Sequence, residues 1–143
     1  METRHRVAVG DARRLGGIDD NAVELVVTSP PYPMIELWDD VFTDLDPAVG
    51  DALDAGDGAA AFDLMHDVLD DVWAEVERVL VDGGIACVNV GDATRSLDGS
   101  FRAYQNHARA VESVAARGFD PPRGTLWRQP GTAPAKRIGT GMW

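Results

Sequence analysis

The chain has 143 residues, enough for one domain with a real core and too few for two. Its single cysteine, Cys87, excludes a disulfide framework and a cysteine-based metal site, and no apolar run approaches the roughly 20 residues that cross a bilayer. With 24 acids against 13 bases the net charge is −11, which opposes binding to a polyanion unless the bases are segregated from the acids.

His5 to Val9 is the first strand candidate, and Gly10-Asp11 ends it with a carboxylate at the carboxyl edge of the expected sheet, where ligands bind in open α/β folds. Asp11 alternatively caps a turn over Ala12 to Leu15. Asp19-Asp20-Asn21 reads as a turn and Val23 to Val27 as a buried strand. That strand stops at Thr28-Ser29-Pro30-Pro31-Tyr32. Each proline fixes its own φ, holds the residue before it extended and lacks an N–H. The loop therefore presents carbonyl and hydroxyl acceptors in a stiff frame beside an aromatic ring. Such a frame suits a planar ligand bearing an amino group, of which a flipped nucleobase is one.

Residues 33–59 are irregular and acidic and predict a long mobile loop with room for a helical turn, either a lid or nucleic-acid-contacting arm or a solvated surface segment. Gly56-Asp57-Gly58 is no nucleotide-binding loop, because no strand precedes it and a third glycine is absent. Between Ala60 and Val81 the residues Phe62, Met65, Leu69, Val72, Trp73, Val76, Val79 and Leu80 recur at helical spacing, with Asp82-Gly83-Gly84 as the stop. His66 neighbours this stripe without a ligand-spaced partner and reads as a surface or boundary residue, not a metal ligand. Ile85 to Val90 is a second buried strand with Cys87 as a small core residue, and Asn89-Val90-Gly91-Asp92 brings polar groups out at its end. Asp92 either borders a target pocket or caps the turn into Thr94. Ser100 is the expected N-cap of a helix to Arg117, with Tyr104, Ala108, Val111 and Ala115 on one face, His107 near it without partners, and Gly118 as its stop. Pro121-Pro122 breaks the chain, Gly124 to Trp127 is a short strand candidate, and residues 128–143 form a basic loop-like segment.

Thr28-Ser29-Pro30-Pro31-Tyr32 resembles the catalytic motif of the DNA amino-methyltransferases that make N4-methylcytosine or N6-methyladenine. The stretch from Glu77 to Gly84 followed by Val88-Asn89-Val90-Gly91-Asp92 is similar to the helix and strand that follow this loop in the family. The resemblance implies a partial Rossmann-like α/β methyltransferase fold with a mainly parallel sheet flanked by helices, in one incomplete catalytic domain. It implies Ser29, Pro30, Pro31 and Tyr32 as catalytic residues, S-adenosyl-L-methionine as cofactor, and Gly10, Asp11 and Thr28 as its binding residues. The serine and the first proline's carbonyl would hold the target amine while the tyrosine stacks on the base. Cytosine N4 is the favoured target, with adenine N6, or an inactive fragment kept as a binding module, as alternatives. A mid-strand cysteine argues against carbon-5 chemistry, which needs a catalytic thiol. The motif that grips the methionine end of the cofactor is expected beyond this chain, so the missing C-terminal half is an expected partner, and the isolated chain is expected to be inactive.

Double-stranded DNA is the other implied partner, and the charge distribution accommodates it. Residues 1–100 hold 22 acids and 6 bases, whereas residues 101–143 hold 2 acids and 7 bases. Arg128, Lys136 and Arg137 are the candidate phosphate contacts. Twelve of the bases are arginine, a pattern that with the acid excess resembles proteins of salt-loving archaea. In molar salt the Debye length is only about 3 Å, so acids would repel DNA little. A cytosolic location with no membrane or metal partner is expected, and a place in restriction-modification follows from the resemblance.

Overall fold

The computed structural model describes residues 2–120. In chain order these form strand β1 (Val23–Thr28), a 3-10 turn (Glu36–Trp38), helices α1 (Asp39–Leu45), α2 (Pro47–Asp54) and α3 (Gly58–Val79), strands β2 (Leu80–Val88), β3 (Ala93–Leu97) and β4 (Ser100–Tyr104), and helix α4 (Asn106–Ala116). β1 and β2 pair in parallel with the three helices as their crossover, and β3 and β4 form a separate antiparallel hairpin. The core lies on α3, whose Met65, Leu69, Trp73 and Val76 are buried against Met34, Phe42, Val49, Leu80 and Tyr104. Truncating a residue as central as Trp73 to alanine costs about 3–5 kcal/mol.

The stretch 33–59, expected as a loop, is mostly helical, and its acids are the reason. The Asp46 carboxylate accepts from the Ala48 N–H at 3.0 Å with Pro47 opening α2, and the Asp57 carboxylate accepts from the Ala60 N–H at 3.0 Å to cap α3. Acids at helix N-termini satisfy unpaired N–H groups and complement the helix dipole. Phe42 and Val49 anchor these short helices in the core. The pair Arg95–Asp39, bidentate at 2.7 and 2.6 Å, ties the hairpin to α1.

Three other expectations are corrected. Helix α3 stops at Val79, and Asp82-Gly83-Gly84 lies inside β2 instead of capping the helix. There the register slips, Val23 facing Leu80 but Leu25 facing Ile85, and Gly83 at φ +76° supplies the irregularity. The expected helix from Ser100 begins only at Asn106, because Asp98-Gly99, both at positive φ, turn β3 back into β4. No strand forms at His5–Val9, where Val7 and Val9 are exposed and no neighbouring strand among the described residues pairs with their backbone.

The expected buried strands are buried on one face only. Val26, Ala86 and Val88 pack on the core, whereas Leu25 (54 % exposed), Val27 (74 %), Ile85 (60 %) and Cys87 line the other face in register. Cys87 is thus a residue of a bare sheet face and not of the core. The candidate strand at 124–127 lies outside the described residues.

Candidate active site

Ser29 leaves the carboxyl end of β1, and the ladder continues one step past it, with the Asn89 N–H donating to the Thr28 carbonyl at 2.9 Å. Two loops therefore stand side by side at the carboxyl edge of the parallel pair, Ser29 to Ile35 and Asn89 to Asp92. An edge of this kind is where open α/β sheets bind ligands.

The first loop is braced from below. Pro30, Pro33 and Met34 are buried, the Met34 N–H points at the Met65 sulfur at 3.2 Å, and the Ile35 N–H closes a turn on the Tyr32 carbonyl at 3.2 Å. Met34 holds φ at +65°, a conformation costly outside glycine and sustained here by burial. Ser29 remains exposed, and its Oγ lies 3.1 Å from the Tyr32 hydroxyl. The Tyr32 ring rests on Gly91, where a Cβ would stand only 3.3 Å from its Cε2. The missing side chain at Gly91 is what lets the aromatic ring approach the second loop so closely.

Behind the two loops lies a polar cluster that the residue pattern did not bring together. The Asn106 Nδ2 donates to the Pro33 carbonyl at 3.0 Å and the Gly91 carbonyl at 2.9 Å, and its Oδ1 meets His66 Nε2 at 3.1 Å. Both side chains are 0 % exposed, so His66 is a core residue and not the boundary residue expected. Burial lowers the His66 pKa from its ordinary value, opposed by the Asn106 hydrogen bond. His107, expected to lack partners, pairs through Nδ1 with Asp92 at 2.7 Å, and its N–H also reaches Asp92 at 3.1 Å. Asp92 caps the start of α4 and not the turn into Thr94. The residue pattern names His66, Asp92 and His107 one by one but not Asn106, which falls inside the helix expected from Ser100, and its partners lie 15 to 73 positions away in sequence.

The other expected site residues are not gathered here. Asp11 is held by Arg13, which donates from its backbone N–H at 2.9 Å and from its guanidinium at 2.8 Å, and that side-chain bond foremost keeps the carboxyl below its usual pKa. The segment after it is tied to the far end of α3: the Leu15 N–H donates to Glu75 at 2.6 Å, and the Asn21 N–H to the Arg78 carbonyl at 3.0 Å. Gly10 is exposed. Arg128, Lys136 and Arg137 lie outside the described residues. Two open hollows of about 560 and 390 Å³ border α3, and neither is lined by Ser29 to Tyr32. Among the described residues no group of His, Cys, Asp and Glu fits a metal ion, and no helix is long and apolar enough to cross a membrane.

A parallel strand pair whose carboxyl edge presents the Ser-Pro-Pro-Tyr loop gives an α/β ligand-binding edge, with the motif that carries the resemblance at that edge. The chain belongs to the N6/N4 DNA methylase family, whose profile matches residues 23–134. It is 40% identical over 143 residues to the Type II methyltransferase M.MthZI of Methanothermobacter thermautotrophicus and 41% identical over 153 aligned positions to the Type II methyltransferase M.MjaI of Methanocaldococcus jannaschii. The matches take in 99% of this chain but only 40% and 50% of those proteins. Among solved structures it is similar to TTHA0409, a putative DNA modification methylase of Thermus thermophilus, with a TM-score of 0.60 and 25% identity over 90% of this chain and 58% of that one. The same protein complexed with S-adenosyl-L-methionine aligns at 0.55 and 30% identity, covering 87% and 48%. The fold is accordingly a partial Rossmann-like methyltransferase fold.

Proposed function

We propose that the chain is the base-engaging part of an S-adenosyl-L-methionine-dependent DNA methyltransferase that modifies an exocyclic amine, cytosine N4 in preference to adenine N6. The observation that carries this reading is the Ser29 to Tyr32 loop, braced at the carboxyl edge of β1 with its aromatic ring against Gly91. Ser29 Oγ, even when it accepts from Tyr32, keeps a second lone pair for the target amine, and no donor among the described residues occupies the Pro30 carbonyl. Both acceptors stabilise positive charge growing on that amine, and Tyr32 holds the flipped base by stacking. A bound S-adenosyl-L-methionine supplies an electrophilic methyl group, so no covalent enzyme intermediate is needed.

The described residues fit only an edge of the cofactor's site. Thr28 stands at the strand end, and Asp11, with both oxygens bonded to Arg13, offers the cofactor only its remaining lone pairs beside Gly10. We infer that the rest of the site comes from a complementary half. The chain spans 40% and 50% of its curated relatives, and its bare apolar face of Leu25, Val27, Ile85 and Cys87 is what a parallel sheet covers with helices. That face is assigned to the complementary half. Arg128, Lys136 and Arg137 serve the DNA phosphates, the acid excess and arginine preference adapt the protein to high salt, and the setting is restriction-modification in the cytoplasm.

The test supplies the part of M.MjaI that the match leaves uncovered, by fusion or as a second chain. Calorimetry with S-adenosyl-L-methionine and a labelled-methyl assay are run on the chain alone and on the pair, with nucleoside chromatography of the product. Transfer by the pair, weak binding by the chain alone, and N4-methylcytosine as product support the proposal. Tight cofactor binding or turnover by the chain alone, or transfer that survives Ser29→Ala at the full rate, refutes it.

A further inference from the structure

We propose that Asn106, oriented by His66, is the positioning residue that sets the spacing between the base-engaging loop and the loop that bears Gly91. The reaction it serves rests on the methyltransferase reading above; the clamp itself does not.

Donors and acceptors in this cluster match in one way only. The carbonyls of Pro33 and Gly91 can only accept, so the amide nitrogen of Asn106 must face them, and both of its hydrogens are consumed. Its Oδ1 is left facing His66, which must then carry its proton on Nε2. That tautomer leaves Nδ1 as a bare lone pair, consistent with His66 Nδ1 having no partner among the described residues. Phe62, edge-on at 4.6 Å, limits the imidazole's rotation. The order His66, Asn106, two carbonyls therefore has one consistent arrangement of protons, spanning α3, α4 and both loops.

Position makes this more than a buried polar pair. Pro33 follows Tyr32 directly and Gly91 carries the surface on which the Tyr32 ring rests, so the two bonds fix the gap that a stacked base must share. Asn106 touches neither the base nor the reacting amine. It acts through Tyr32, and small shifts of a positioned group cost rate more than binding.

Nuclear magnetic resonance on the full 143-residue chain tests the clamp without any assay of methyl transfer. In the unmutated protein both Asn106 side-chain amide protons exchange slowly, the His66 nitrogens report the Nε2–H tautomer, and the Gly91 α-protons show a ring-current shift from Tyr32. Asn106→Leu and His66→Leu move the Gly91 shift toward its unstructured value while Trp73 keeps its native signals. His66→Gln, which retains an N–H for Oδ1, preserves the shift. In the protein completed by its other half, Asn106→Leu lowers kcat on the order of 10²-fold with KM for DNA little changed. Fast exchange of the Asn106 amide in the unmutated chain, an Nδ1–H tautomer, or an unmoved Gly91 shift in folded Asn106→Leu overturns the clamp. Absence of methyl transfer by the unmutated completed protein overturns the reaction and leaves the resonance result to decide the clamp.

Discussion

Tyr32 lies in the proposed base-engaging loop, whereas His66 is buried in the core and reaches that loop only through Asn106. Stacking of a base on an aromatic ring is worth about 1–3 kcal/mol, so Tyr32→Ala is expected to weaken binding of the completed protein to its DNA by that amount. Tyr32→Phe removes only the bond to Ser29 and is expected to retain most affinity. Fluorescence titration with a duplex carrying an unpaired target base measures both, and equal affinity of all three proteins would remove the stacking role. His66 controls stability through pH. Burial lowers its folded pKa below the unfolded value, so the unfolded chain binds the extra proton first. Stability is therefore fully present above about pH 6.5 and falls below it, at up to about 1.4 kcal/mol per pH unit until the folded pKa is reached. Urea midpoints between pH 5 and 8 are expected to show this slope in the parent and a shallower one in His66→Gln.

Among the elements, the hairpin β3–β4 and the start of α3 meet with no slack. A Cβ at Gly58 would collide with the Tyr104 hydroxyl and crowd Leu97, and the Tyr104 ring is itself packed 5.5 Å from Phe62. Gly58→Ala gains helix propensity at an N-terminal position but overpacks this junction, for an expected net loss of about 1–3 kcal/mol. Tyr104→Phe removes the colliding oxygen. The double variant is expected to recover most of the loss, and a denaturation cycle with strictly additive effects would show that the two do not meet. The hairpin itself is ambiguous in local signals. Asp98-Gly99 is a two-residue hairpin signal, yet Ser100 and the apolar spacing beyond it also satisfy a helix start, and only pairing of Leu97 with Ser100 and of Ala93 with Tyr104 decides between them.

The whole molecule carries a net charge of −11, with most acids of its helices at exposed positions. Self-repulsion of this kind opposes the compact state and is screened by salt, whose Debye length shrinks from about 10 Å at 0.1 M to about 3 Å at 1 M. The thermal midpoint is expected to rise as potassium chloride increases from about 0.1 M to well above 1 M, where that screening is nearly complete. A midpoint that falls over that range would indicate that ion pairs such as Arg78–Glu75, at 2.8 Å, outweigh the repulsion. Those pairs are local: the Arg78 bond foremost, with the Leu15 N–H, holds the Glu75 pKa at about 2, so their contribution is present above its ordinary range and is lost only as pH falls from there toward 2.

Elements whose signals are short in range were legible in the chain of residues. The α3 stripe repeats every three or four residues, β1 runs straight into two prolines, and the family motif is contiguous from Thr28 to Tyr32. Whatever depends on a partner distant in the chain was left open. Whether His5 to Val9 is a strand depends on a neighbour to hydrogen-bond it, and none is present among the described residues. Whether Leu25, Val27, Ile85 and Cys87 are core depends on what covers them, because alternation gives a strand two faces without saying which is packed. Folding in three dimensions joined His66 to Asn106 across 40 positions and Asn106 to Pro33 across 73, since a hydrogen bond is a statement about distance in space and a sequence records only distance along the chain.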